Sequence, residues 1–179
     1  MATITITAAD AATDTAALHA TATAPAATPA DVAAAKRFVS DFVDRSLPEY
    51  QKISLAIHDK PEVSNYEFFA STPLADQLKS EGFDVTVGVA SHRTGFEAAY
   101  DTGRPGPTVV FLAEYDALPG IGHGCGHSVY GPNSSLAGAA LKQVIDRFGG
   151  QVRVDGTPGE EGSENGSAKG RSEERRVGK

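Results

Sequence analysis

Three consecutive stretches constrain the fold most: TVVFLA at 108–113, NSSLAGAALKQVIDRFGG at 133–150 and QVRVDGT at 151–157. The first is an unbroken apolar run of strand length, entered through the turn GRPGP. The second carries Leu136, Ala140, Leu141, Val144, Ile145 and Phe148 at helical spacing, with Asn133 or Ser134 as its cap and Gly149-Gly150 as its stop. The third alternates Val152 and Val154 like a strand. Strand, helix, strand in this order is a crossover unit, whose two strands lie parallel. The expected class is therefore α/β, with a largely parallel sheet flanked by helices. An apolar run such as TVVFLA is expected at the centre of that sheet, buried on both faces.

Order is expected to begin at Thr28, where Thr28-Pro29-Ala30-Asp31 supplies a cap, a proline in the first turn and an acid. Pro48 should force a restart and a second helix should end before Pro61. Ser64 and Glu67 have the spacing of a capping box for a further helix that ends at Gly82, with Pro73 bending it. DVTVGV and TGFEAAYD read as two more strands. The Ala/Thr-rich segment 1–27 lacks the apolar density to order itself and reads as a disordered leader. It has neither a positive n-region nor a continuous apolar core, so no secretory signal is expected.

Charge and cysteine usage narrow the function. A net charge of −7 with no basic stripe argues against a nucleic-acid partner. No apolar run approaches the roughly 18 residues that span a bilayer, so no membrane partner is expected. A single cysteine excludes an internal disulfide and suits a reducing cytoplasm.

That cysteine, Cys125, lies in GIGHGCGH between His123 and His127. In open α/β sheets, ligands bind beyond the carboxyl ends of the strands. One such end delivers Glu114, Asp116, His123, Cys125 and His127; the next, GTPGEEG, delivers Glu160 and Glu161. Parallel strands point both loops to one edge. Thiolate, imidazole and carboxylate together suit Zn²⁺ or Mn²⁺. Cys125-x-His127 in an extended turn would set both side chains on one side. Paired carboxylates allow one to bind metal while the other takes a proton from water. Asp116 is placed to accept an imidazole N–H from behind. Singly these signals are weak, since a C-x-H or an EE pair is commoner as a solvated loop. His123 reads as a turn residue, and His19, His58 and His92 as surface residues.

FLAEYDALPGIGHGCGH, AGAAL and GTPGEEG together resemble the dinuclear-metal aminoacylase/carboxypeptidase family of metallopeptidases and amidohydrolases. The similar branch holds p-aminobenzoyl-glutamate hydrolases, amino-acid-conjugate amidohydrolases and β-alanyl dipeptidases. IHDKPEVSNYEFFAS and LADQLKSEGFDV look like the family's opening helices, so the likeness covers about residues 30–170. It implies two divalent metal ions, Zn or Mn, with Cys125, His127 and Glu161 as metal ligands. It implies Glu160 as the general base and Asp116 as the acid supporting the ligands from behind. The implied reaction is hydrolysis of an amide bond in a small carboxylate-bearing substrate, an N-acyl or aminobenzoyl amino acid or a dipeptide. The implied full-length protein is a homodimer.

Ser128 stands where this branch has Asn or Asp, Gly159 where it has Ala, and Pro73 within a helix that lacks it. The family's further histidine ligands and its lid and dimerisation domain have no counterpart here. The expectation is an N-terminal fragment, 28–170 being part of a catalytic domain and inactive alone. The tail RSEERRVGK, 171–179, back-translates in one frame to a sequence similar to a common sequencing adapter and is expected to be non-native. Two other classes stay open: a non-catalytic metal-binding or interaction module, and a hydrolase with Cys125 as nucleophile. The latter would need an orienting Asn or Asp and an oxyanion hole.

Overall fold

The structure is a computed structural model that describes residues 27–162. The leader, except Ala27, and the 171–179 tail lie outside the described residues. The first helix, α1 (Pro29–Asp59), starts where expected. Thr28 Oγ1 accepts the Asp31 N–H at 3.2 Å, and Asp31 Oδ2 accepts the Thr28 N–H at 3.0 Å, a reciprocal capping box. The expected restart at Pro48 does not occur, and the helix runs through it. Proline deprives the Asp44 carbonyl of its partner, but Asp44 and Pro48 are both exposed, so water can take that place. The buried stripe of Phe42, Tyr50, Ile53 and Ile57 continues across the proline on one face.

Helix α2 (Phe68–Ser80) also carries its proline, Pro73, within one continuous element. The expected Ser64–Glu67 capping box is absent. Glu62 caps the helix instead, its Oε2 accepting the N–H groups of Phe69 at 2.8 Å and Ala70 at 3.0 Å. Ser64 and Glu67 are both buried and bond elsewhere. The same connector meets the site loop through Ala117, whose N–H donates to the Glu62 carbonyl at 2.8 Å.

Four strands follow: β1 (Asp84–Val87), β2 (Phe96–Asp101), β3 (Thr108–Ala113) and, after α3 (His127–Ile145), β4 (Gln151–Gly156). Their order is β1-β2-β4-β3. The expected crossover unit is present, with β3 and β4 parallel. The sheet as a whole is mixed, because β1/β2 and β2/β4 are antiparallel. A parallel return from β2 to β3 would need a crossover of about a dozen residues, and 102–107 is only a turn. The turn sends β3 back antiparallel to β2, and β4 inserts between them.

The expectation that TVVFLA is central is also corrected, since among the described strands it lies at the edge. Its inner side, with Phe111 and Ala113, meets α3, whereas Val110 and Leu112 on the other side remain 44% and 45% exposed. An unbroken apolar run does not specify how many faces are covered. The helices pack on the face that bears Phe96, Ala98, Val152 and Val154, forming one core with Leu74, Leu78, Leu136 and Ala139. On the opposite face Arg153 pairs with Glu97 at 2.7 Å and Asp155 at 2.8 Å.

Close approach of α3 to the sheet depends on Gly138, where an added Cβ would collide with Val154. Gly138→Ala is expected to destabilise the chain by about 1–3 kcal/mol through overpacking, despite alanine's better helix propensity. Urea denaturation would measure it, and an unchanged midpoint would show that α3 does not sit this close.

Candidate metal centre

The carboxyl ends of the parallel strands β3 and β4 lie side by side, tied by the Thr157 N–H donating to the Ala113 carbonyl at 2.9 Å. From β3 the chain enters Glu114–Gly126, and from β4 it enters Thr157–Glu161. The two loops meet at that edge. Helix α3 begins at His127, about two turns earlier than a cap at Asn133 or Ser134 would place it. Its cap is Gly126, at φ +90°, a left-handed conformation that glycine reaches without a Cβ penalty. Cys125-x-His127 is therefore no extended turn but the entry to a helix, and its positive end faces the loops' carboxylates.

His127 is buried and surrounded by acids. Its Nδ1 lies 2.9 Å from Asp116 Oδ1 and 3.1 Å from the Asp116 carbonyl oxygen. Both are acceptors, which assigns the proton to Nδ1 and leaves the Nε2 lone pair for an electrophile. Nε2 in turn is 3.3 Å from Glu114 Oε2, 3.8 Å from Glu161 Oε1 and 3.9 Å from Glu160 Oε2. Burial alone would lower the His127 pKa, but the bond to Asp116 and the nearby carboxylates outweigh it and raise the value.

Asp116 is fully buried. Besides His127 it accepts the Ser64 hydroxyl at 2.9 Å and the Glu161 N–H at 2.9 Å, both on Oδ2. Burial pushes its pKa up, and these three bonds together hold it below the usual carboxylate value. Cys125 is partly buried, its Sγ 3.8 Å from the Asp116 carbonyl. Burial, and then the Glu161 carboxylate, raise its pKa, the opposite of what an activated nucleophile needs.

Two triads can be drawn around the imidazole. Cys125, His127 and Glu161 offer three donor atoms within 4.8 Å of one another, as do Glu114, His127 and Glu160. Donors held tetrahedrally at about 2.0–2.3 Å from one ion lie about 3.3–3.8 Å apart, so either triad would draw in somewhat on binding. Soft, borderline and hard donors thus converge, amid a concentration of negative charge that a divalent cation would neutralise.

The five residues given roles from the sequence, Asp116, Cys125, His127, Glu160 and Glu161, are brought together here. Glu114 joins them; its signal was its position directly after β3. Ser64 had no such signal, because only tertiary contact brings it to Asp116. His123 stays outside both triads, its ring stacked on His58 at 6.3 Å. His92, expected at the surface, is buried with Nδ1 2.7 Å from Asn65 Oδ1. Asp116→Asn is expected to lower the His127 pKa in the metal-free chain, because it removes the nearby negative charge that favours the imidazolium and leaves only a neutral amide oxygen to accept from Nδ1. Titration of the imidazole resonances by NMR would read this, and an unmoved pKa would mean that Asp116 does not set it.

No family profile matches the chain. It is 36% identical over 145 residues to a p-aminobenzoyl-glutamate hydrolase polypeptide of Escherichia coli K12, covering 70% of this chain and 30% of that protein. It is 30% identical over 138 residues to the mouse Xaa-Arg dipeptidase, covering 70% and 32%. Among solved structures it matches a dinuclear metal-binding peptidase of the M20 family from Bacillus subtilis, with a TM-score of 0.57 and 24% identity over 79% of this chain and 40% of that one. The chain spans about a third of the length of these curated relatives. With the two-loop motif, the shared fold and these relatives in agreement, the chain belongs to the dinuclear-metal aminoacylase/carboxypeptidase-like family of metallopeptidases and amidohydrolases.

Proposed function

We propose that the protein to which this segment belongs is a metal-dependent hydrolase that cleaves an amide bond in a small carboxylate-bearing substrate. The observation that carries this reading is the convergence of Glu114, Cys125, Glu160 and Glu161 on His127 at the carboxyl edge of β3 and β4, where the single free imidazole nitrogen serves one ion. Names of the relatives, a p-aminobenzoyl-glutamate hydrolase and a dipeptidase, support the substrate class. Two divalent ions, Zn or Mn, complete the proposal, with Cys125, His127 and Glu161 as ligands and Glu114 as a further donor. When bound, such ions would polarise the amide carbonyl and lower the pKa of the attacking water.

The chain's own residues supply the rest. Asp116 holds Nδ1–H of His127, fixing the ring so that Nε2 faces the donors. Its bond from the Glu161 N–H fixes that residue's backbone. Glu160 lies 27% exposed at the open side and is the base in this proposal. It takes a proton from the attacking water and delivers it to the departing amine, a sequence that needs one carboxylate free of other duty. A homodimer and a cytoplasmic setting, where the lone thiol stays reduced, belong to the same proposal. Among the described residues no helix is long and apolar enough to cross a membrane.

A cysteine-nucleophile reading is weaker on this geometry. His127 directs Nδ1 to Asp116 and Nε2 to carboxylates, leaving Cys125 without an imidazole base, and the thiol pKa is raised.

Glu160→Gln in the full-length enzyme is expected to cost about 10²- to 10⁴-fold in kcat on p-aminobenzoyl-glutamate or a dipeptide, with metal content unchanged. Turnover assays with Mn²⁺ or Zn²⁺, alongside elemental analysis, would check it; retained turnover would remove Glu160 from the role. Cys125→Ser is expected to weaken metal binding measurably by calorimetry, whereas a nucleophile would lose turnover with metal affinity intact.

A further inference from the structure

Glu67 has no place in the site described above, yet it is a fully buried carboxylate whose hydrogen-bond donors among the described residues are all uncharged. Its Oε1 accepts two backbone N–H groups, Asn65 at 2.7 Å and Gly159 at 2.9 Å, and its Oε2 accepts the Thr94 hydroxyl at 2.8 Å. Burying a carboxylate is costly unless its lone pairs are used, and here three donors use them. One donor, Gly159, is 92 positions away in sequence and directly precedes Glu160. Gly159 sits at φ +69°, and a Cβ there would press on the Asn65 amide at 3.0 Å. Two residues on, the Glu161 N–H is held by Asp116. The double-glutamate turn is thus pinned at its backbone on both sides of Glu160, by two buried carboxylates from different parts of the chain. Thr94 is itself fixed, since its carbonyl accepts the Tyr115 hydroxyl at 2.7 Å and Tyr115 directly precedes Asp116.

We propose that Glu67 is a positioning residue for the metal centre: by holding the Gly159 N–H it sets the turn that aims Glu160 and Glu161 at His127. The proposal rests on the metal-centre reading for its consequence, though not for the clamp itself. Glu67 touches no ligand side chain and acts only through the backbone.

Two measurements on the 179-residue chain test it, with Leu78→Ala as a control that removes a fully buried side chain of α2 away from the turn. In the metal-free chain, amide exchange at Gly159 and Glu161 is expected to accelerate in Glu67→Leu and to stay slow in Glu67→Gln. The glutamine oxygen still accepts both N–H groups, and the Thr94 hydroxyl can turn to accept from its amide. Unchanged protection in Glu67→Leu, or the same loss in Leu78→Ala, would overturn the clamp.

In the second measurement Co²⁺ is titrated and followed by its thiolate charge-transfer band. Glu67→Leu is expected to bind about 10- to 100-fold more weakly, Glu67→Gln close to wild type, and Leu78→Ala unchanged. Glu67→Leu combined with Glu161→Gln is expected to bind no more weakly than Glu161→Gln alone, because both remove the same ligand. Additive losses would overturn a positioning role. A wild-type chain that gives no Cys125-dependent cobalt band would instead defeat the metal-centre reading, while the exchange result would still decide the clamp.

Discussion

The buried carboxylate of Asp116 is the point on which the candidate site turns. It reaches the end of β3 with no solvent to stabilise its charge, and three segments supply that stabilisation: Ser64 from the connector before α2, His127 from the start of α3 and the Glu161 N–H from the loop after β4. Each bond satisfies the acid and also fixes its donor. One residue thereby joins the helix bearing the imidazole to the turn bearing the glutamates. A buried charge without such donors would cost several kcal/mol, so the three segments and the carboxylate are mutually required.

The surrounding charge explains why the arrangement asks for a cation. Glu114, Glu160 and Glu161 all approach one imidazole nitrogen within 3.9 Å. Part of that repulsion is relieved by the amino end of α3, which opens at His127 because Gly126 turns left-handed ahead of it. A protein would gain nothing from gathering these groups unless something positive were to share them. The thiol, whose pKa burial raises, is not poised to attack.

Much of this was legible before the fold was known. Thr28 with Asp31 marked the start of α1, and the strand–helix–strand unit marked β3, α3 and β4. Two loops at parallel strand ends named Asp116, Cys125, His127, Glu160 and Glu161. The failures have identifiable causes. Pro48 lies inside a helix whose freed carbonyl is exposed to water, so proline overstated the break there. Ser64 and Glu67 match a capping box in spacing, but tertiary donors and acceptors claimed both side chains. TVVFLA looked central because apolar composition carries no record of strand order.

What the sequence determined alone was local: periodicity gives the type of each element, and chemistry gives which loops carry the candidate donor groups. What only the tertiary structure decided was the company each group keeps. That includes the antiparallel placement of β1 and β2 and the choice of Glu62 as the cap of α2. It includes the burial of His92 and the convergence of Ser64 and Glu67 on loops far away in sequence. The reason is physical. A side chain's propensity depends on its neighbours along the chain, but a buried polar group must take whichever partner the fold brings within 3 Å or so, and that partner's distance in sequence has no bearing on the energy of the bond.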